Sequence, residues 1–197
     1  MQILLSSNKM IINKYLKKNS KIGFIANASE LDSDRWYMEK DKKDLNNMGF
    51  NIIDIDITNE SKEDIVNKFD MVDAIFIAGG NAFYLLQQLK LKDILKDLIK
   101  FANNKIYIGS SAGACIASPS IDYLEKLDDR KEAPLLDNGN AMNLIDSYIL
   151  PHYKSDEEYT KMIDEIEKNY SNLNFIKLSN KQAIIVNDNN YVIVDTE

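Results

Sequence analysis

The chain is 197 residues long, 45% hydrophobic and 28% charged, enough apolar material to bury a core and too much for wholesale disorder, and its length suits one domain over residues 1–197. With 31 Asp and Glu against 24 Lys and Arg, the formal charge is −7, which argues against nucleic acid or a membrane as partner, because both select basic surfaces. One cysteine, Cys115, allows no internal disulfide or Cys-based zinc cluster, and one histidine, His152, excludes every site that needs two imidazoles.

The N-terminal stretch 1–8 has an apolar run far too short for a secretory signal and lacks a basic flank. No apolar run approaches the ~20 residues needed to span a bilayer, so a cytoplasmic protein is expected. Short, mostly Ile-rich runs then read as buried strands: Ile22 to Ala26, Ile52 to Asp56, Ala74 to Ala78 and Ile106 to Gly109. Between them, Ser33 to Met48 carries Trp36, Leu45 and Met48 at helical spacing, with Gly49 where a C-cap would sit. Ala82 to Ala102 reads as two helices with a break near Lys90. In the second half, Tyr148 to Leu150 reads as a strand and Glu157 to Tyr170 as a helix. Three short strands come next: Asn174 to Leu178, Gln182 to Val186 and Tyr191 to Val194. The last two are joined by a hairpin turn at Asn187-Asp188-Asn189-Asn190. The pattern specifies an α/β fold: a doubly wound, mostly parallel sheet with helices on both faces and an antiparallel edge at the C-terminus. Such sheets bind ligands beyond the C-terminal ends of their strands, which directs attention to the residues just after Ala78, Gly109 and Leu150.

Each of those positions leads into a feature with chemical content. Gly109-Ser110-Ser111-Ala112-Gly113 fits G-x-S-x-G between a strand and a small-residue stretch compatible with a helix. That is the setting of a nucleophile elbow with Ser111 exposed at its tip. A Gly/Ser-rich turn that binds a phosphate, or nothing, has the same composition. Gly79-Gly80-Asn81 lets the main chain approach a substrate; the N–H of Gly79 or Gly80, with that of Ala112, would form an oxyanion hole. Asn81 equally suits the N-cap of the next helix. Pro151-His152 puts the lone imidazole at a strand end, where it would serve as the serine's base. An orienting acid is still needed. Asp122, Glu125, Asp128, Asp129, Glu132, Asp137 and Asp146 lie between Ser111 and His152, with the Asp128-Asp129 loop favoured.

Taken together, Gly79-Gly80-Asn81-Ala82-Phe83-Tyr84-Leu85-Leu86, Gly109 to Ala114, Pro119-Ser120-Ile121 and Leu150-Pro151-His152-Tyr153 resemble the peptidase E family, the aspartyl dipeptidase group of serine exopeptidases that also includes relatives of cyanophycinase. The resemblance implies a class I glutamine amidotransferase-like fold with serine in place of the nucleophilic cysteine. It implies Ser111 as nucleophile and His152 as base. The triad acid maps best to Asp129, with Asp128 and Glu125 as alternatives, and Gly80 and Ala112 would supply oxyanion N–H groups.

The expected function is a serine peptidase of di- or tripeptides, acting by Ser-His-acid acyl transfer with no metal or organic cofactor, as a monomer or homodimer. The alternatives are a small-ligand binding module without turnover and a glutaminase-like amidohydrolase. The resemblance also implies arginines after the catalytic His that hold an N-terminal Asp. Here Lys154 to Met162 is acidic and has no Arg, and the chain has only Arg35 and Arg130. Since bidentate carboxylate recognition is an Arg specialty, strict selection for N-terminal Asp is not expected. A free α-amino group or a basic side chain suits that stretch better.

Overall fold

A computed structural model describes residues 2–7, 12–187 and 190–196. Five parallel strands form the centre of a seven-stranded sheet: β1 (Gln2–Ser6), β2 (Lys21–Ile25), β3 (Asn51–Asp54), β4 (Ala74–Ile77) and β5 (Ile106–Ser110). With β8 (Gln182–Asn187) and β9 (Asn190–Asp195) the order is β3-β2-β4-β5-β1-β8-β9. β1 runs parallel to β5 and antiparallel to β8. β8 and β9 pair antiparallel with Asn187 opposite Asn190, as a hairpin requires; its two tip residues, 188 and 189, lie outside the described residues. The doubly wound α/β fold with an antiparallel C-terminal edge is therefore present. β6 (Tyr148–Leu150) and β7 (Phe175–Lys177), however, pair parallel with each other as a separate two-stranded sheet.

Side-chain alternation assigns the two faces. On one, Ile3, Leu5, Ile75, Ile77 and Tyr107 pack under α2 (Lys62–Met71), α3 (Ala82–Leu91), α4 (Leu95–Asn104), α5 (Ala112–Cys115) and α6 (Glu157–Asn169). On the other, Leu4, Phe24, Phe76 and Ile108 pack under α1 (Trp36–Asn47), with Phe24 and Phe76 stacked at 5.3 Å between ring centroids. All four residues of β4 are buried, as a strand covered on both faces demands.

Two elements lie beyond those expected from the sequence. β1 is one; α2 is the other, although Ser61 caps it by accepting from the Asp64 N–H, and Ile65 and Phe69 bury one face at helical spacing. The break between α3 and α4 falls at Lys92 to Ile94, where Asp93 takes a left-handed φ of 55°.

In α1 the buried stripe is Met38, Asp41 and Leu45; of the three residues read at helical spacing, Leu45 is buried and Met48 packs against the core, while Trp36 is 63% exposed. Burial pushes the Asp41 carboxyl up to about 7 from 3.8. Because the folded state then holds a proton that the unfolded chain releases, Asp41 costs stability as pH rises from 4 to above 7. Asp41→Asn is expected to stabilise the protein by about 2 kcal/mol at pH 8 and by nothing at pH 4. Urea melts of both proteins at the two pH values check this.

Candidate active site

Strand β5 ends on Ser110, and Ser111 begins the turn into α5 with φ 50° and ψ −110°, a conformation L-residues adopt at a cost of ~1–3 kcal/mol. The surroundings enforce it. The Ser111 N–H donates to Ser6 O on β1 at 2.9 Å, and its carbonyl accepts from the N–H groups of Ala114 and Cys115. The flanking glycines are steric necessities. A Cβ on Gly109 would lie 2.3 Å from Gly113 O, and one on Gly113 would lie 2.3 Å from Ile77 O in β4. Tyr107 closes the arrangement from beneath, its buried hydroxyl donating to Gly113 O at 2.6 Å.

The elbow lifts Ser111 Oγ to 2.9 Å from His152 Nε2. His152 comes after β6 and Pro151 in a tight turn in which both His152 and Lys154 have φ 61°. Its N–H donates to Ser7 Oγ at 3.1 Å, and the Ser7 hydroxyl donates to Leu178 O. Leu178 O also accepts from the Tyr153 N–H, and the Leu178 N–H donates to Leu150 O. The ring is held from α6 by an edge-on contact with Tyr159 at 5.6 Å between centroids. Burial holds the imidazole below its ordinary 6.5, against the raising effect of its side-chain bond to Asn180. It is therefore neutral at pH 7 and can accept a proton.

The residue on the far side of the ring is not one of the expected acids. His152 Nδ1 lies 2.7 Å from Asn180 Oδ1, in the loop after β7. Asp129 instead caps a short 3-10 turn, its carboxylate accepting from the Lys131 N–H and its carbonyl from Asn81 Nδ2. Asp128 accepts from the Ala82 N–H at the start of α3, and its carboxyl is pushed up to about 6, mainly by burial. Glu125 is exposed, 3.7 Å from Arg130. None of the three hydrogen-bonds the imidazole, because the 128–132 loop is tied to the N-terminus of α3. Asn180 carries no acidic signature. The one sequence signal that reaches it is its place just beyond the end of β7, since functional groups gather at strand ends in this class of sheet.

Of the other expected residues, Gly79 lies against the nucleophile: a Cβ there would be 3.1 Å from Ser111 Cβ. Gly80, at φ 133°, packs so closely on the backbone of Ala28 and Ser29 that a Cβ would sit 2.2 Å from Ala28. Asn81 is the N-cap of α3, accepting from the Tyr84 N–H, while its amide donates to Glu132 as well as Asp129. Ala112 is the first residue of α5. Among the described residues, the N–H groups of Gly80 and Ala112 donate to no protein acceptor.

The profile of Peptidase family S51 matches residues 3–194. The chain belongs to peptidase family S51. An uncharacterized peptidase of Listeria innocua is 37% identical over 85% of this chain and 80% of its own length. Another from Pasteurella multocida is 33% identical, over 89% of this chain and 86% of its own length. Peptidase E of a Nostoc species is 31% identical across 68% of this chain and 52% of that protein. A crystal structure from Listeria monocytogenes, provisionally described as a peptidase E protein, superposes with TM-score 0.92 at 32% identity, covering 100% of this chain and 98% of the other. A peptidase from an acI-B1 actinobacterium shares the fold, with TM-score 0.68 at 12% identity, over 98% of this chain and 87% of that one.

By family, then, the chain is a peptidase of the serine type. In this S51 peptidase Cys115 is a buried residue of α5, its Sγ directed at Ile149 O, and burial pushes the thiol far up. It is protonated and inaccessible, which removes the basis for a cysteine-dependent glutaminase reaction. The acidic residues before α6 serve the helix: Asp156 caps it by accepting from the Tyr159 N–H, and Glu157 and Glu158 occupy its first turn. No described helix is long and apolar enough to cross a membrane.

Proposed function

We propose that the protein hydrolyses short peptides by acyl transfer through Ser111. The observation that carries this reading is the 2.9 Å contact between Ser111 Oγ and His152 Nε2 at a strained elbow. Neutral His152 takes the hydroxyl proton as Oγ attacks the scissile carbonyl, then delivers it to the leaving amine. The N–H groups of Ala112 and of Gly80 or Gly79 hold the developing oxyanion. A covalent acyl-enzyme forms on Ser111, and water releases it by the same proton relay run in reverse.

The same reading makes strict selection of an N-terminal Asp implausible. Arg130 is occupied by Asp122 at 2.8 Å and lies over the Phe83 ring, while Arg35 donates to Ser29 Oγ. Both guanidinium groups are engaged within the chain. Two carboxylates also flank the Gly80-Asn81 loop, Asp128 on the Ala82 N–H and Glu132 on the Asn81 amide. They favour a free α-amino group over a second carboxylate. The test is a panel of dipeptides and tripeptides with Asp, Lys, Arg or a neutral residue at the N-terminus. Hydrolysis of neutral or basic members at rates at least equal to Asp-X is expected; activity confined to Asp-X would overturn the specificity reading, and no hydrolysis of any member would overturn the function.

A further inference from the structure

The structure assigns Asn180 as the third member of the catalytic array, a neutral positioning residue that fixes the His152 ring through its amide oxygen in place of a carboxylate. This rests on the peptidase reading of Ser111 and His152. The 2.7 Å contact joins Asn180 Oδ1 to Nδ1, and an amide oxygen can only accept. Nδ1 must therefore carry the proton, which leaves the Nε2 lone pair facing Ser111 Oγ. That is the tautomer a general base needs.

The position of Asn180 is built in. Leu178, two residues earlier, accepts through its carbonyl from the Tyr153 N–H and the Ser7 hydroxyl, and donates to Leu150 O. The turns carrying His152 and Asn180 are thus bolted together by backbone bonds on the parallel β6–β7 pair, whose register sets Leu150 opposite Lys177. An imidazolium formed during attack keeps its Nδ1–H donating to Asn180 Oδ1 and gains no ion pair. The amide therefore orients the base while raising its proton affinity less than a carboxylate would.

The groups facing His152 are Ser111 Oγ, Asn180, the Tyr159 ring and, at its backbone, Ser7. Tyr159 is pushed up to about 12 by burial and stays protonated. The charge of Asp128 reaches Tyr159, and its own titration near 6 overlaps that of histidine. The pH measurements are therefore repeated in an Asp128→Asn background.

Because His152 is the only histidine, its ring nitrogens give a single set of NMR signals. In the unmodified protein, the Nδ1–H tautomer with a midpoint below 6.5 is expected; an Nε2–H tautomer would overturn the assignment. Asn180→Asp is expected to raise the midpoint by about one pH unit or more and to move the acidic limb of fluorophosphonate labelling at Ser111 by the same amount. An unmoved midpoint also overturns it. Asn180→Ala is expected to slow labelling about 10-fold or more and to mix the tautomers. These readouts require no peptide substrate. A correct tautomer with no peptide hydrolysis would count against the proposed function and leave the role of Asn180 standing.

Discussion

Replacing Ser111 with alanine is expected to lower kcat for peptide hydrolysis by at least about 10⁴-fold and to abolish fluorophosphonate labelling, with no loss of folded stability. The reasoning is local. The substitution removes one oxygen, whose hydrogen-bond partner is His152 Nε2 at 2.9 Å. It keeps the Cβ, so the backbone strain at φ 50° is the same for Ala as for Ser. The bonds that hold the elbow, from the Ser111 N–H to Ser6 O and to the Ser111 carbonyl from Ala114 and Cys115, are all main-chain. Unfolding curves that coincide, alongside intact-protein mass spectra showing adduct only on the unsubstituted chain, are the expected pair of results. Labelling that survives in Ser111→Ala would mean that another nucleophile reacts, and the acyl-transfer proposal would fall.

The second large effect is on folding. Gly113→Ala would put a methyl 2.3 Å from Ile77 O and 2.9 Å from Ile77 Cβ. Ile77 is fully buried in β4, which is hydrogen-bonded on both sides, to β2 and β5, so the obstacle is rigid backbone in the middle of the sheet. Overpacking a close-packed interior costs ~1–3 kcal/mol, and more when the clash is with backbone. Gly113→Ala is therefore expected to lose about 3 kcal/mol or more, a fall in Tm of ~6–12 °C for a chain of this size. Gly79→Ala is the informative contrast. Its methyl would meet Ser111 Cβ at 3.1 Å and Oγ at 3.6 Å, side-chain atoms at the mouth of the site. It is expected to melt close to the parent while losing most labelling of Ser111. Calorimetry on the two variants separates the glycine that permits the fold from the one that keeps the nucleophile clear.

How much is legible from sequence differs between elements. Strands β2 to β9 announce themselves by short apolar runs ending in Gly, Pro or polar residues, and their actual ends lie within two residues of expectation. β1 does not: Gln2–Ser6 offers only Ile3, Leu4 and Leu5 as apolar residues, and, unlike the equally short β6 with its aromatic Tyr148 and the Pro151 that follows, it has neither an aromatic residue nor a Pro to mark it as a strand. It is nonetheless a central strand, buried because β5 and β8 flank it. Trp36 shows the opposite failure. Its hydrophobicity suggests burial, yet the helix turns it to solvent and buries Asp41 instead, since the rotation of a helix is set by which residues reach the sheet.

The site divides along the same line. Ser111, His152 and the Gly79-Gly80-Asn81 loop can be named from sequence because each carries a local signature: flanking glycines that a sharp turn requires, the lone imidazole, and paired glycines at a strand end. The partner of His152 cannot. Asn180 is 28 residues further along the chain and has no chemical feature that separates it from other asparagines. The contact exists because β6 and β7 pair in parallel and the Leu178 backbone ties their trailing turns together.

By itself, then, the sequence determined the features that covalent order over a few residues dictates: the strand-helix alternation, the elbow, and the identity of the only possible imidazole. The tertiary structure alone decided the contacts that packing between distant segments creates. It kept the Asp128-Asp129 loop on the N-terminus of α3, where free N–H groups attract it, and it set a neutral amide against the imidazole. Hydrogen-bond partners across the sheet are chosen by register, and register is a property of the whole fold.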